Sequence, residues 1–319
     1  MIGNIHRRLR SRGVMGINQR NRDFVMRYNP RHLYPLVDDK LRTKKLAQEH
    51  GIPVPPLFAT FTNEREARDL PEILCDIEDF AMKPAHGAGG HGILIAMARR
   101  GDRFRRAKGF WVGLEDLAYH ASNILSGVYS LGGQSDVAMV EHRVQPDALF
   151  EAISFGGVPD VRIIVLKGYP AMAMVRLPTQ QSDGKGNLHQ GAIGAGIDLA
   201  SGRTLHGVWG NERTEIHPDT DVVLAGLSIP DWEAFLLLAA RCYEMTGLGY
   251  LGVDIVLDRT LGPLLLELNA RPGLNIQIAN DAGLAHRFAI IEKQNEDRSP
   301  HERIEFIRET FRAAAPSAP

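Results

Sequence analysis

The residues best placed to do chemistry lie late in the chain. They are Gly252-Val253-Asp254-Ile255-Val256-Leu257 and Leu264-Leu265-Leu266-Glu267-Leu268-Asn269-Ala270-Arg271-Pro272-Gly273. Both runs read as strands, and Asp258-Arg259-Thr260-Leu261-Gly262-Pro263 between them has turn composition. With Leu257 set opposite Leu264, Asp254 faces Glu267, and Asn269 points the same way two residues on. Facing residues have Cβ atoms about 5 Å apart. Two buried carboxylates at that separation repel unless a proton or cation lies between them. Hard oxygen donors suit Mg²⁺ rather than Zn²⁺, and Mg²⁺ commonly joins protein carboxylates to nucleotide phosphates. The plainer reading is a pair of solvent-facing acids on an edge hairpin. Apolar residues at 253, 255, 266 and 268 make burial on both faces plausible.

The second feature is Gly87-Ala88-Gly89-Gly90-His91-Gly92, preceded by Phe80-Ala81-Met82-Lys83-Pro84 and followed by Ile93-Leu94-Ile95-Ala96-Met97. Glycines 87, 89 and 92 match G-x-G-x-x-G, but a dinucleotide loop must open a helix, and here a β-type run follows. A Walker loop fails for the same reason and lacks its Gly-Lys-Ser/Thr ending. A protein-kinase loop fails because His142-Arg143-Val144 lacks the catalytic aspartate and there is no Asp-Phe-Gly. What remains is a flap between two strands with Lys83 just ahead of it. Glycines let backbone N–H groups approach phosphate oxygens, and a lysine adds charge there. An ordinary glycine-rich hairpin is the alternative.

These pieces need elements to position them. Asp38 is expected to cap a helix running to His50, with Gly51 as its stop and Pro53, Pro55 and Pro56 beyond it. Val161 to Leu166 and Ala171 to Arg176 flank Lys167-Gly168-Tyr169-Pro170, which predicts a hairpin. Ser228 and Pro230 open a helix in which Phe235, Leu238, Ala239 and Cys242 share one face, and Gly247 closes it. Both element types with several hairpins predict an α+β protein. Residues 1–31 carry eight arginines against Asp23 alone. Such an arm could touch an acidic partner or lipid, or be solvated or packed on its own domain. The expected divisions are a basic arm 1–35, a flap-bearing part 36–145, a metal-bearing part 146–293 and a polar tail 294–319, whose final Ala-Ala-Ala-Pro-Ser-Ala-Pro is expected to be disordered.

At 319 residues the chain is about two domains long. Its 37 basic and 38 acidic residues give a net charge of −1, which argues against a nucleic-acid partner for the chain as a whole. Cys75 and Cys242 cannot form a disulfide framework and fit a reducing compartment. No apolar run approaches a membrane span, and Met1 to Arg12 has no apolar stretch behind its charges, so a cytoplasmic location is expected. The twelve histidines show no H-x-x-x-H spacing, and no zinc site is expected. His86 and His91 flank the flap and could touch phosphates.

In order along the chain, Asp39-Lys40-Leu41-Arg42, Lys83-Pro84 with its flap, Val140-Glu141-His142-Arg143-Val144, Gly252-Val253-Asp254 and Glu267-Leu268-Asn269-Ala270-Arg271-Pro272-Gly273 resemble the ATP-grasp superfamily. The resemblance covers about residues 36–290. Asp160-Val161-Arg162 followed by Asn187-Leu188-His189-Gln190-Gly191 is similar to the alpha-L-glutamate ligase-like group, related to ligases that add glutamate to protein or peptide ends. The resemblance implies an ATP-grasp fold of two α+β subdomains clamping ATP, here with a shortened N-terminal region. It implies that Lys40 and Lys83 contact ATP phosphates under Gly87, Gly89, Gly90 and Gly92. Glu141, His142, Arg143 and Val144 would form the hinge for adenine, with Asp147 or Asp160 on the ribose. Asp254, Glu267 and Asn269 would hold two Mg²⁺ ions, for which Mn²⁺ could substitute. Arg162, Asn187, His189 and Arg271 would serve the transferred phosphate and the acyl phosphate.

The implied activity is carboxylate–amine ligation through an acyl phosphate, adding glutamate or a similar amino acid to a carboxylate or peptide substrate. Such chemistry needs positioning and charge neutralisation rather than a nucleophilic side chain. A small-molecule kinase on the same fold and a non-catalytic ATP-binding module are the alternatives. The chain departs from the family in having fewer than 40 residues before Lys40, in a long stretch from Arg99 to Ser135, and in arginine at 271. The oligomeric state is open, and a homo-oligomer is compatible with the sequence.

Overall fold

The computed structural model describes residues 2–311 apart from 88, 108, 131, 295 and 296. The chain divides into two units. The larger comprises residues 1–37, 46–53 and 146–319, and the smaller comprises residues 38–45 and 54–145.

The smaller unit is built on six antiparallel strands, β1 (Leu57–Phe61), β2 (Phe80–Pro84), β3 (Leu94–Arg100), β4 (Arg103–Arg106), β5 (Trp111–Gly113) and β6 (Ala138–Glu141), in the order β1-β6-β2-β3-β4-β5. Phe61, Phe80, Met82, Leu94, Phe104 and Val140 form one core with Leu117, Ala121 and Ile124 of the helix Leu114–Leu125. Those three helical residues recur at i, i+4 and i+7, one face of the helix. The long stretch 99–135 therefore supplies sheet and core to this unit. The flap joins β2 to β3, with Met82 opposite Leu94. Gly89, Gly90 and Gly92 turn there at φ of 63°, 76° and 77°, the left-handed region that glycine enters freely. Ala88 of the flap lies outside the described residues.

The larger unit carries a seven-stranded antiparallel sheet: β7 (Asp160–Leu166), β8 (Tyr169–Leu177), β9 (Ile193–Ile197), β10 (Thr204–Trp209), β11 (Glu212–Thr214), β12 (Tyr250–Asp258) and β13 (Gly262–Asn269), ordered β11-β10-β9-β8-β7-β12-β13. The helix Trp232–Thr246 packs on β7, β8 and β12 through a face that includes Phe235, Leu238, Ala239 and Cys242. Its stop is Gly247, at φ 69°.

Several local expectations change. The cap of the helix Lys40–Glu49 is Asp39, not Asp38: Asp39 Oδ1 accepts from the N–H groups of Leu41 and Arg42 at 2.9 and 3.1 Å. Asp38 instead ends the short helix Pro35–Asp38. The β7–β8 turn is Lys167-Gly168 alone, both at positive φ, because Tyr169 already pairs with Leu166. Within the polar tail, Pro300–Thr310 is a helix, capped reciprocally by Ser299 and Glu302, with Ile304 and Ile307 buried. The final seven residues lie outside the described residues. In the basic arm, residues from Gly13 onward pack on the larger unit. Phe24 meets Phe288 at 4.6 Å between ring centroids, and the Asn29 side chain bonds Tyr250 backbone N–H and C=O and the Ala270 carbonyl.

Candidate functional site

In the larger unit the β12–β13 ladder places Asp254 opposite Glu267. The loop end is one residue tighter than the sequence suggested, with Leu257 opposite Pro263, and a bulge at Leu266 restores the 254–267 match. Asp254 is also opposite Arg162 on β7, and Asp160 is opposite Arg176 on β8. Four adjacent positions thus converge. Arg162 donates to Asp254 through Nε at 2.7 Å and Nη2 at 2.5 Å. Arg176 bridges the two aspartates, donating from Nε to Asp160 at 2.6 Å and from Nη2 to Asp254 at 2.8 Å. Asn269 Nδ2 lies 3.3 Å from Asp254 Oδ2.

Burial works against the charge on Asp254, but Arg162 and Arg176 outweigh it and hold the carboxyl below its ordinary range. Asp160 shifts upward, because burial and the Asp254 charge together exceed the help from Arg176. Both oxygens of Asp160 face the Arg176 guanidinium, so the expectation that Asp160 takes a ribose hydroxyl gives way to a role in this arginine cluster. The sequence reading did not single out Arg176. Its signal was the short Lys167-Gly168 turn, which sets the register that pairs it with Asp160.

Asp254, Glu267 and Asn269 fit Mg²⁺ in donor type, all three offering hard oxygens. Asp160, Asp254 and Glu267 are three carboxyl groups gathered beside the Arg162 and Arg176 guanidiniums. Among the described residues no three His, Cys, Asp or Glu side chains gather as a metal cage.

In the smaller unit, Glu141 is 3% exposed and ion-paired with Lys83 at 2.5 Å and Lys44 at 2.9 Å. Burial alone would raise the Glu141 carboxyl, but Lys83 and Lys44 bring it below its usual range. Burial is also the main reason that Lys44 falls below the ordinary lysine value. Lys83 is itself buried, at 6% exposure, and is therefore part of the strand interior rather than an exposed flap residue. Lys44, which the sequence reading passed over, is the lysine that joins Lys83. Lys40 turns elsewhere, donating from Nζ to the Gly87 carbonyl at 2.5 Å. Lys40 and Lys44 are four apart on one helix, a spacing that puts them on the same face.

The flap root is held on both sides. Lys40 N–H donates to the Ala85 carbonyl, and His86 lies between Asp136, at 2.7 Å from Nδ1, and Asp39, at 3.6 Å from Nε2. The Gly92 carbonyl lies 3.0 Å from His120 Nε2, and a Cβ at Gly92 would meet the Tyr129 ring at 2.5 Å. His91 is exposed. In the expected hinge, His142 N–H already donates to the Pro56 carbonyl at 2.8 Å, Arg143 pairs with Asp79 at 2.6 Å, and Val144 is half-buried.

The remaining expected residues belong to the larger unit. Asp147 caps the short helix Ala148–Ala152 by accepting from Leu149 N–H at 2.9 Å. Asn187 Oδ1 accepts from His189 N–H at 3.0 Å, and the His189 side chain is exposed. The Arg271 guanidinium lies over the Tyr34 ring, 5.2 Å from its centroid.

The family described as sugar-transfer associated ATP-grasp matches residues 19–293. No curated protein matches the chain. Among solved structures, the ATP-grasp ligase PsnB with minimal precursor is 16% identical at a TM-score of 0.45, over 84% of this chain and 64% of that one. D-cycloserine synthetase DcsG is 17% identical at 0.47, over 83% and 73%. D-alanine–D-alanine ligase from Bacillus anthracis is 12% identical at 0.45, over 87% and 70%. The chain spans under two thirds of the length of the PsnB structures it matches. No helix among the described residues is long and apolar enough to cross a membrane. With a match that runs through the flap, the lysine pair and the carboxylate hairpin, the chain belongs to the sugar-transfer associated ATP-grasp family and has its α+β ATP-grasp fold.

Proposed function

We propose that the chain is an ATP-dependent carboxylate–amine ligase. The observation that carries this reading is the buried cluster in which Arg162 and Arg176 hold Asp254 beside Glu267 and Asn269. Positive and negative groups pre-set in a dry site suit the handling of phosphoryl charge. A carboxylate is a poor electrophile because its leaving group would be oxide. Its oxygen attacks the γ-phosphorus of ATP, the bond to the bridging oxygen breaks, and ADP leaves. An amine then attacks the carbonyl carbon of the acyl phosphate, the C–O bond breaks, phosphate departs, and the surplus amine proton passes to solvent.

In this reading Lys83 and Lys44 bind nucleotide phosphates, and Glu141 fixes both ammonium groups. Arg162, Arg176 and Arg271 lower the charge on the transferred phosphate, while Asn187 and His189 lie toward the acyl phosphate. Two Mg²⁺ ions held through Asp254, Glu267 and Asn269 would, when bound, neutralise phosphate oxygens. The amine is glutamate or a similar amino acid, following the glutamate ligase-like resemblance.

The test is ADP release from Mg²⁺-ATP with a panel of amino acids and small acids, with hydroxylamine as trap. Hydroxamate formed with one acid supports the acyl phosphate and names the carboxyl substrate. ADP release with phosphate transferred to a hydroxyl, and no hydroxamate, overturns the ligase reading in favour of a kinase.

A further inference from the structure

The helix Ile2–Ser11 belongs neither to the candidate site nor to the core. Every described side chain from Ile5 to Arg12 is exposed, Ile5 at 55% and Leu9 at 43%. Isolated helices shorter than roughly 12–15 residues are marginal in water, and this one has 10, with none of its described side chains buried. Ile5 and Leu9 are four apart and share a face. At about 100° per residue, Arg8 lies roughly 80° to one side of that stripe, Arg10 roughly 120° to the other, and Arg7 opposite. Arg12 follows directly. Residues 2–12 contain no acid, and among the described residues none of these four arginines holds an ion pair. The root of the helix is firm. Gly13 turns the chain at φ 72°, and its carbonyl accepts from Ala285 N–H at 3.0 Å.

We propose that this helix lies in the plane of a bilayer surface and binds anionic lipid headgroups. The pattern selects that partner over others of the same charge. A nucleic-acid backbone or an acidic protein engages the arginines but has no use for an apolar stripe between them. A protein groove buries the stripe alone and leaves the arginines to repel one another in solvent. A bilayer interface takes both at once. Ile5 and Leu9 sink to the boundary between headgroups and acyl chains, and the flanking guanidiniums meet lipid phosphates. About four or more basic residues on an amphipathic helix are the footprint of an anionic-lipid site, each adding to the attraction. With so short a stripe the attachment is weak and reversible, and it needs the apolar and the charged part together. The inference does not rest on the ligase reading; it places the chain at a membrane surface whichever reaction it performs.

The experiment sediments the full chain, without nucleotide, with vesicles of phosphatidylcholine alone or mixed with phosphatidylglycerol. The chain should pellet with the mixed vesicles and stay in solution with the neutral ones. Salt should release it, because headgroup attraction is screened within a Debye length. Arg7→Gln, Arg8→Gln and Arg10→Gln together should weaken binding about a hundredfold. Ile5→Ser with Leu9→Ser, which keeps every charge, should weaken it about tenfold. These exposed side chains carry no core packing, so both variants should melt with the wild type, and lost binding is then not lost folding. Absence of binding to either vesicle overturns the proposal, and so does equal binding to both. Binding to mixed vesicles that Ile5→Ser with Leu9→Ser leaves unchanged also overturns it, and would make the helix a general polyanion contact, for an acidic protein or a nucleic acid.

Discussion

Glu141 concentrates the electrostatics of the smaller unit in one side chain. It pairs with both Lys83 and Lys44 where water does not reach, so its removal leaves two buried ammonium groups repelling each other. Breaking a buried pair from one side costs about 3–5 kcal/mol. Glu141→Gln should therefore lower stability by about that amount in urea unfolding, and a loss near zero would mean the lysines carry no charge when folded. The same pair gives a pH dependence. The folded carboxyl lies below its ordinary value, so its contribution is complete above the unfolded glutamate range. It fades as pH falls through the lower folded value. Acid unfolding of the wild type should thus be steeper than that of Glu141→Gln, and superimposable acid transitions would contradict the assignment. Lys83→Ala leaves Lys44 to balance Glu141. It should fold, with ATP turnover reduced at least a hundredfold.

At the scale of elements, β12 and β13 decide whether the carboxylates meet. Gly252 lies opposite Asn269, and a Cβ there would come within 2.6 Å of Pro272. Gly252→Ala should push the Asn269–Pro272 segment away at a cost of about 1–3 kcal/mol, measurable as a lower denaturation midpoint together with weaker Mg²⁺ dependence of turnover. An unchanged midpoint would mean that Pro272 yields freely. The hairpin and its two carboxylates were legible in an apolar background, but the expected pairing of Leu257 with Leu264 was one residue off, and Asp254 meets Glu267 only because a bulge makes up the difference. The bulge at Leu266 was not, since nothing in Leu264-Leu265-Leu266 marks which leucine is extra. Asp39 rather than Asp38 as the cap is the same kind of miss: two adjacent aspartates carry equal capping propensity, and only the backbone turn decides. Lys44 could have been found from its i, i+4 relation to Lys40. Its partnership with Glu141 could not, because it joins a helix to a strand far apart in sequence.

At the scale of the whole chain, the N-terminal residues behave as two pieces with different fates. The helix Ile2–Ser11 leaves Ile5 and Leu9 exposed, whereas the segment from Gly13 to Asn29 is threaded into the larger unit. The Gly13 carbonyl accepts from Ala285 N–H, and Gly13 sits so close to Gly283 that a Cβ on Gly283 would fall within 1.9 Å of it. Met15 N–H donates to Gln277 Oε1 at 2.8 Å. Phe24 closes an aromatic cluster with Tyr250 and Phe288 behind β12. Losing a buried phenylalanine costs about 3–5 kcal/mol, and each buried group left unpaired costs about 1–3 kcal/mol more. Together these approach the roughly 5–15 kcal/mol total stability of an ordinary domain. Deleting residues 2–11 should leave thermal unfolding within a few degrees of the full chain. Deleting residues 2–29 should abolish the cooperative transition, because β12, which carries Asp254, loses the packing behind Tyr250 and the Asn29 bonds at once. If the longer deletion melts like the shorter one, the segment is an appendage after all, and the position of β12 is set by its sheet neighbours alone.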